Sequence, residues 1–200
     1  MIHAFQLVFA VALASPEAVA AQVRAEGATD VRVQLVQLDA DDAMEAVVQY
    51  ILPGSGVHAQ VLDSRANGWQ VAGKFNTWWN FVPEDADRFI ELRETVRLGT
   101  QDVVVRTRGG GTEDSRTVLE IWRMRDGVMV NVLTLKEQET AMEHPSGDVF
   151  TTVARVEFEP GRVTVRSLKN PGEKRSCVSY FWDEAGFRFG EERGGCPTHP

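Results

Sequence analysis

Short apolar runs divided by turn residues recur along this chain and constrain its fold more than any other feature. Segments 31–38, 45–52, 57–63 and 68–74 are rich in Val, Leu and Ile, with Asp41-Asp42, Pro53-Gly54-Ser55-Gly56 and Asn67-Gly68 between them. Asn-Gly between apolar runs supplies the positive φ angles that a two-residue hairpin needs. The habit returns at 102–108, 117–124, 128–136, 149–158, 161–167, 177–183 and 186–190. There the dividers include Arg125-Asp126-Gly127, Glu159-Pro160-Gly161 and Asp183-Glu184-Ala185-Gly186. Runs this short, with turns roughly every 8–12 residues, predict an all-β protein of about eleven antiparallel strands in hairpins. A small sandwich, a barrel or a propeller-like curved sheet would all satisfy the pattern.

Three stretches are ambiguous. Ile90, Leu92, Val96 and Leu98 share one parity and predict a strand over 90–98, with a short helix over 84–93 as the rival. Residues 137–147 are polar and read as a loop, with room for a short helix from Lys136 to Glu143. Gly109-Gly110-Gly111 reads as a hairpin tip, because it lacks the following Lys-Ser/Thr of a phosphate loop.

At 200 residues the chain is expected to form one domain with a real core. Its 29 acidic against 21 basic residues argue against nucleic acid as a partner, since phosphate binding needs a clustered positive field.

The N-terminus reads as an address. Ala4 to Ala14 is an apolar run broken only by Gln6, too short to span a bilayer and suited to the core of a secretory signal. Ala18-Val19-Ala20 offers small residues where signal peptidase needs them, so residues 1–20 are assigned to a signal and 21–200 to the single β-rich domain. Cuts after Ala14 or Ala21 are the alternatives. No later segment reads as a membrane span, and the location expected is periplasmic or secreted. Cys177 and Cys196 are the only cysteines, and two lone cysteines in an exported protein are expected to pair.

One motif stands out. The stretch from Gln37 to Val48 contains Asp39, Asp41 and Glu45 ahead of an apolar strand, and it resembles the acidic-loop signature of FG-GAP/VCBS-type repeats. That resemblance implies a β-propeller-type hairpin grammar and a loop able to bind calcium through Asp39, Asp41 and Glu45. Gln37 replaces the family's first acid, and Asp42 stands where the family has glycine. Similar grammar echoes at 99–105, 122–127 and 180–186. A propeller blade takes about 40–50 residues, so a chain of this length favours a smaller curved sheet.

Catalytic signatures are missing. The four histidines, His3, His58, His144 and His199, form no metal-ligand spacing, and Pro53-Gly54-Ser55-Gly56 is not a nucleophile elbow. Trp78 and Trp79, flanked by Asn and Thr, are the best candidates for contact with a ligand, since adjacent residues on a strand face opposite ways. Arg106, Arg108, Arg116, Arg123 and Arg125 form a locally basic region within an acidic chain. The reading expected is an exported, non-enzymatic β protein that binds a protein or glycan partner. An exported hydrolase with a dispersed active site and a structural or assembly module are the rivals.

Overall fold

A computed structural model describes residues 15–66, 68–77, 89–110, 115–143, 148–172 and 174–192. Among them the chain forms one helix, α1 (Pro16–Ala25), and two antiparallel sheets. The smaller is a four-stranded meander of β1 (Thr29–Val36), β2 (Glu45–Leu52), β3 (Gly56–Arg65) and β4 (Gly68–Asn76). The larger has eight strands, again ordered as in the sequence. They are β5 (Ile90–Arg93), β6 (Asp102–Gly110), β7 (Ser115–Arg125), β8 (Val128–Glu143), β9 (Asp148–Glu159), β10 (Arg162–Asn170), β11 (Lys174–Asp183) and β12 (Arg188–Glu192). The all-β architecture expected from the turn pattern is present. Short turns leave each strand little choice but to pair with its neighbour in sequence, as at Asp126-Gly127, where φ is 52° and 76°.

The near-continuous apolar run of β2 has a simple cause: both its faces are covered. Ala46, Val48 and Tyr50 face α1, where Val19, Ala20 and Val23 pack on them and on Leu62. Val47 and Ile51 face the other way, with Val57, Ala59 and Val61, toward Ile90, Val103, Val105 and Met124 of the large sheet. The small sheet is thus the middle of three layers. Phe75 and Trp122 meet edge to face across the sheet–sheet seam, with ring centroids 5.2 Å apart.

The large sheet cannot be flat. β6 and β12 lie six places apart in strand order, which would separate them by about 29 Å at the usual strand spacing. Yet Val104 of β6 and Phe189 of β12 belong to one apolar cluster with Leu119, Ile121, Leu133, Leu135 and Val163. The sheet therefore curls over its own core, and β12 comes against β8.

Three local readings change. β5 ends at Arg93, and residues 94–101 are a loop rather than more strand. Asp102 draws that loop back, its Oδ2 accepting bonds from the Thr95 hydroxyl at 2.6 Å and the Thr95 amide at 3.3 Å. Of the rival helix over 84–93, Phe89 is helical and 90–93 are strand, while 84–88 lie outside the described residues. Residues 137–143 extend β8 instead of forming a loop or helix, because β7 and β9 pair with that stretch on both sides (Arg116 with Glu139, Glu139 with Thr152). Gly109 and Gly110 pair with Arg116 and Ser115 as strand, and Gly111 lies outside the described residues.

The helix α1 was not anticipated, since it lies across the expected signal junction. Ser15 caps it, its Oγ accepting from the Ala18 amide at 3.1 Å, and Pro16 occupies the first turn. Residues 1–14 lie outside the described residues. No helix among the described residues is long and apolar enough to cross a membrane.

The Asp102 carboxylate is fully buried and also accepts from Arg123 Nη1 of β7 at 2.6 Å. Burial pushes this carboxyl above the usual range, and Arg123 and Thr95 offset part of that effect. Removing one partner leaves the other charge buried and unpaired. Asp102→Ala should therefore cost about 3–5 kcal/mol in urea denaturation. The double variant Asp102→Leu with Arg123→Met should lose far less than the two single changes added together.

Candidate functional site

The acidic loop joins β1 to β2 and is built by its own short side chains. Asp39 Oδ1 accepts from the Asp41 amide at 2.9 Å, and Asp41 Oδ1 accepts from the Ala43 amide at 2.7 Å. These are Asx turns, in which a side chain mimics the backbone of a tight turn. Gln37 completes the fold of the loop, its Nε2 donating to the Asp39 and Asp41 carbonyls at 3.2 and 2.7 Å. The amide in place of the family's first acid thus braces the loop. Asp42 is not among the residues with positive φ, so its Cβ carries no left-handed penalty.

Glu45 closes the site from β2. It is fully buried, and its Oε2 accepts from the Leu38 amide at 2.7 Å. Its Oε1 is buried without a partner. One carboxylate oxygen from each of Asp39, Asp41 and Glu45 lies within 4.8 Å of the others. Oxygens bound to one calcium at 2.3–2.6 Å are at most about 5 Å apart, so the spacing fits a single hard cation. The three residues singled out from the sequence are therefore brought together.

Their electrostatics agree. Burial, with the charges of Asp39 and Asp41 adding to it, raises the Glu45 carboxyl to about 7, although the Leu38 amide pulls it down. Asp39 is also raised, first by burial and then by neighbouring Asp41 and Asp63.

The loop forms one wall of a cleft of about 810 Å³, contributing Asp39, Ala40, Asp41 and Ala43. The floor is charged and tied down. Asp63 accepts from Arg65, whose Nη2 donates to the Asp126 carbonyl at 2.9 Å and so links β3 to the β7–β8 turn. Gly127, at φ 76°, leaves the space that the Arg65 guanidinium occupies. The lining also includes Arg97, Arg125, Glu184 and Phe187, with the Arg125 guanidinium 4.7 Å over the Phe187 ring.

A second cleft of about 400 Å³ surrounds Arg106, which is paired with Glu91 and Glu137, and a groove of about 690 Å³ separates β1 and β2 from β5. The basic region read from the sequence is thus divided: Arg106 and Arg123 are neutralised in ion pairs, and Arg125 reaches the main cleft. His58 Nε2 lies 3.0 Å from Ser55 Oγ, but Ser55 is on an exposed turn and His58 stacks on Tyr50. Trp78, Trp79 and Cys196 lie outside the described residues, while Cys177 sits half-buried on β11 opposite Arg166. Arg97, Glu184 and Phe187 were missed by sequence reasoning, because they come from two turns far apart in the chain, the loop 94–101 and the β11–β12 turn.

Comparison with protein-family models, with curated proteins and with solved structures returns no match.

The raised Glu45 carboxyl has a definite sign. A folded value of about 7 against an ordinary 4.5 means its contribution to stability is whole below about pH 4.5 and is lost as pH rises through 7. In cation-free buffer, stability should fall by on the order of 2–3 kcal/mol from this group between pH 4.5 and 8. Glu45→Gln should flatten that fall, as read by chemical denaturation at a series of pH values.

Proposed function

We propose that this protein is an exported, non-catalytic β-sheet protein that binds a partner in a cleft beside a calcium-type cation. The convergence of Asp39, Asp41 and the buried, half-satisfied Glu45 is the observation that supports the reading. An orphaned carboxylate oxygen in the interior is costly, and a cation is the group that removes the cost for all three acids together. Calcium suits the loop better than magnesium, because it accepts six to eight oxygens in flexible geometry. The resemblance of the loop to FG-GAP/VCBS-type repeats supports the same assignment. Binding is favoured over hydrolysis because, of the three buried acids among the described residues, Asp63 and Asp102 are engaged by Arg65 and Arg123, and Glu45 belongs to the cation site.

Calcium at a hundredfold excess over its dissociation constant should stabilise the protein by about 2.7 kcal/mol, read as a rise in melting temperature. Asp41→Ala should remove most of that rise. No rise in the parent protein at millimolar calcium would end the cation reading.

Export is part of the proposal, with processing after Ala14 rather than Ala20. Ala12-Leu13-Ala14 presents small residues at the two required positions, and Ser15 is extended, at φ −75° and ψ 157°. A cut after Ala20 would instead remove the cap and the buried Val19 and Ala20 from α1, uncovering Ala46, Val48 and Leu62. The intact mass of the exported protein should match a chain starting at Ser15. That mass should also be lighter by two hydrogens, the signature of a Cys177–Cys196 bond.

A further inference from the structure

Three carboxylates leave a calcium shell of six to eight oxygens incomplete. The Asp39 and Asp41 carbonyls already accept from Gln37. Because Asp39, Ala40, Asp41 and Ala43 also line the main cleft, a ligand in that cleft can supply oxygens the loop lacks.

Two arginines of the same cleft lining suit an anion. Arg97 is exposed, and its Nε donates to Thr100 Oγ1 at 3.3 Å. Arg125 has its guanidinium carbon 4.7 Å from the Phe187 ring centroid, and its ion pair is a loose one of 3.7 Å to the highly exposed Asp126. Both line the cleft with a guanidinium group, whose forked N–H donors match a carboxylate best. The same rim carries the acceptors Asp126 and Glu184. Glu184 Oε2 already accepts from the Trp182 indole N–H at 2.5 Å, and the carboxylates of both residues would accept bonds from hydroxyl groups.

Phe187, which lines this cleft, holds a positive φ of 47°, a costly conformation for a bulky residue. The positive φ of Asp126 is that of the β7–β8 hairpin turn.

Resting on the cation reading above, we propose that the cleft binds an acidic sugar of the uronate type. Its carboxylate bridges the loop-bound cation and the Arg97–Arg125 pair, and its hydroxyls donate to Asp126 and Glu184. A volume of about 810 Å³ accommodates a short oligosaccharide.

The test is calorimetry on the full chain in three steps. Calcium is titrated alone first; if it does not bind, the cation reading falls and this proposal falls with it. Trigalacturonate is then titrated into calcium-loaded protein, where binding is expected, weakened at least tenfold by a chelator. The double variant Arg97→Ala with Arg125→Ala should bind trigalacturonate about tenfold or more weakly while its calcium titration reports that the loop remains folded. Maltotriose, neutral and of the same length, should not bind. Calcium binding without trigalacturonate binding, or equal binding by the arginine variant, overturns the uronate site and leaves the cation site standing. Triglutamate binding as tightly as trigalacturonate would overturn it as well.

Discussion

Asp102 is a carboxylate without access to water, and its bonds hold the parts of this molecule in relation to one another. It joins β6 to β7 through Arg123 and turns the loop 94–101 through Thr95. That loop then reaches both sheets. The Gly161 amide of the β9–β10 turn donates to the Thr95 carbonyl, and the Gln101 amide donates to the Gln37 carbonyl beside the acidic loop. Arg123 continues the chain of contacts onto the Trp182 ring, 5.6 Å away. A buried ion pair is weak evidence for net stability, but breaking it strands a charge, so it acts as a constraint on geometry.

That constraint explains where the cleft lies. The large sheet curls over Leu119, Ile121 and Val163, and the small sheet packs on its other face through Val103 and Val105. Adjacent residues of β6 thus serve two cores, as the alternation of a strand requires. The turns at one end, around Asp126 and Phe187, come beside the loop that follows β1. Arg65 spans the junction, and a side chain at Gly127 would displace it. The cleft is therefore a product of packing between sheets and belongs to neither sheet alone.

Much of the fold was legible. The boundaries of β2, β4 and β7 follow from apolar runs and turn dipeptides, which act locally. The extension of β8 was not legible, because Lys136-Glu137-Gln138-Glu139 has no apolar periodicity, and its strand form comes from pairing on both edges. The loop at 94–101 was misread as strand because Val96 and Leu98 keep the parity, while the Thr95–Asp102 bonds override it. The helix α1 was hidden because an Ala- and Val-rich segment after an apolar run reads as a signal junction. Its burial against Tyr50 and Leu62 is a tertiary fact.

The sequence by itself determined the all-β class, the positions of most hairpin turns and the three acids of the loop. Each of these depends on neighbours within a dozen residues, where turn chemistry and strand alternation act. Only the tertiary structure decided that Glu45 is buried with an oxygen to spare, and that Arg97, Arg125 and Phe187 line one cleft with Asp39 and Asp41. Those relations join segments from β1 to β12, and the curl of one sheet and its packing on another set them. No local pattern in the chain encodes such a distance.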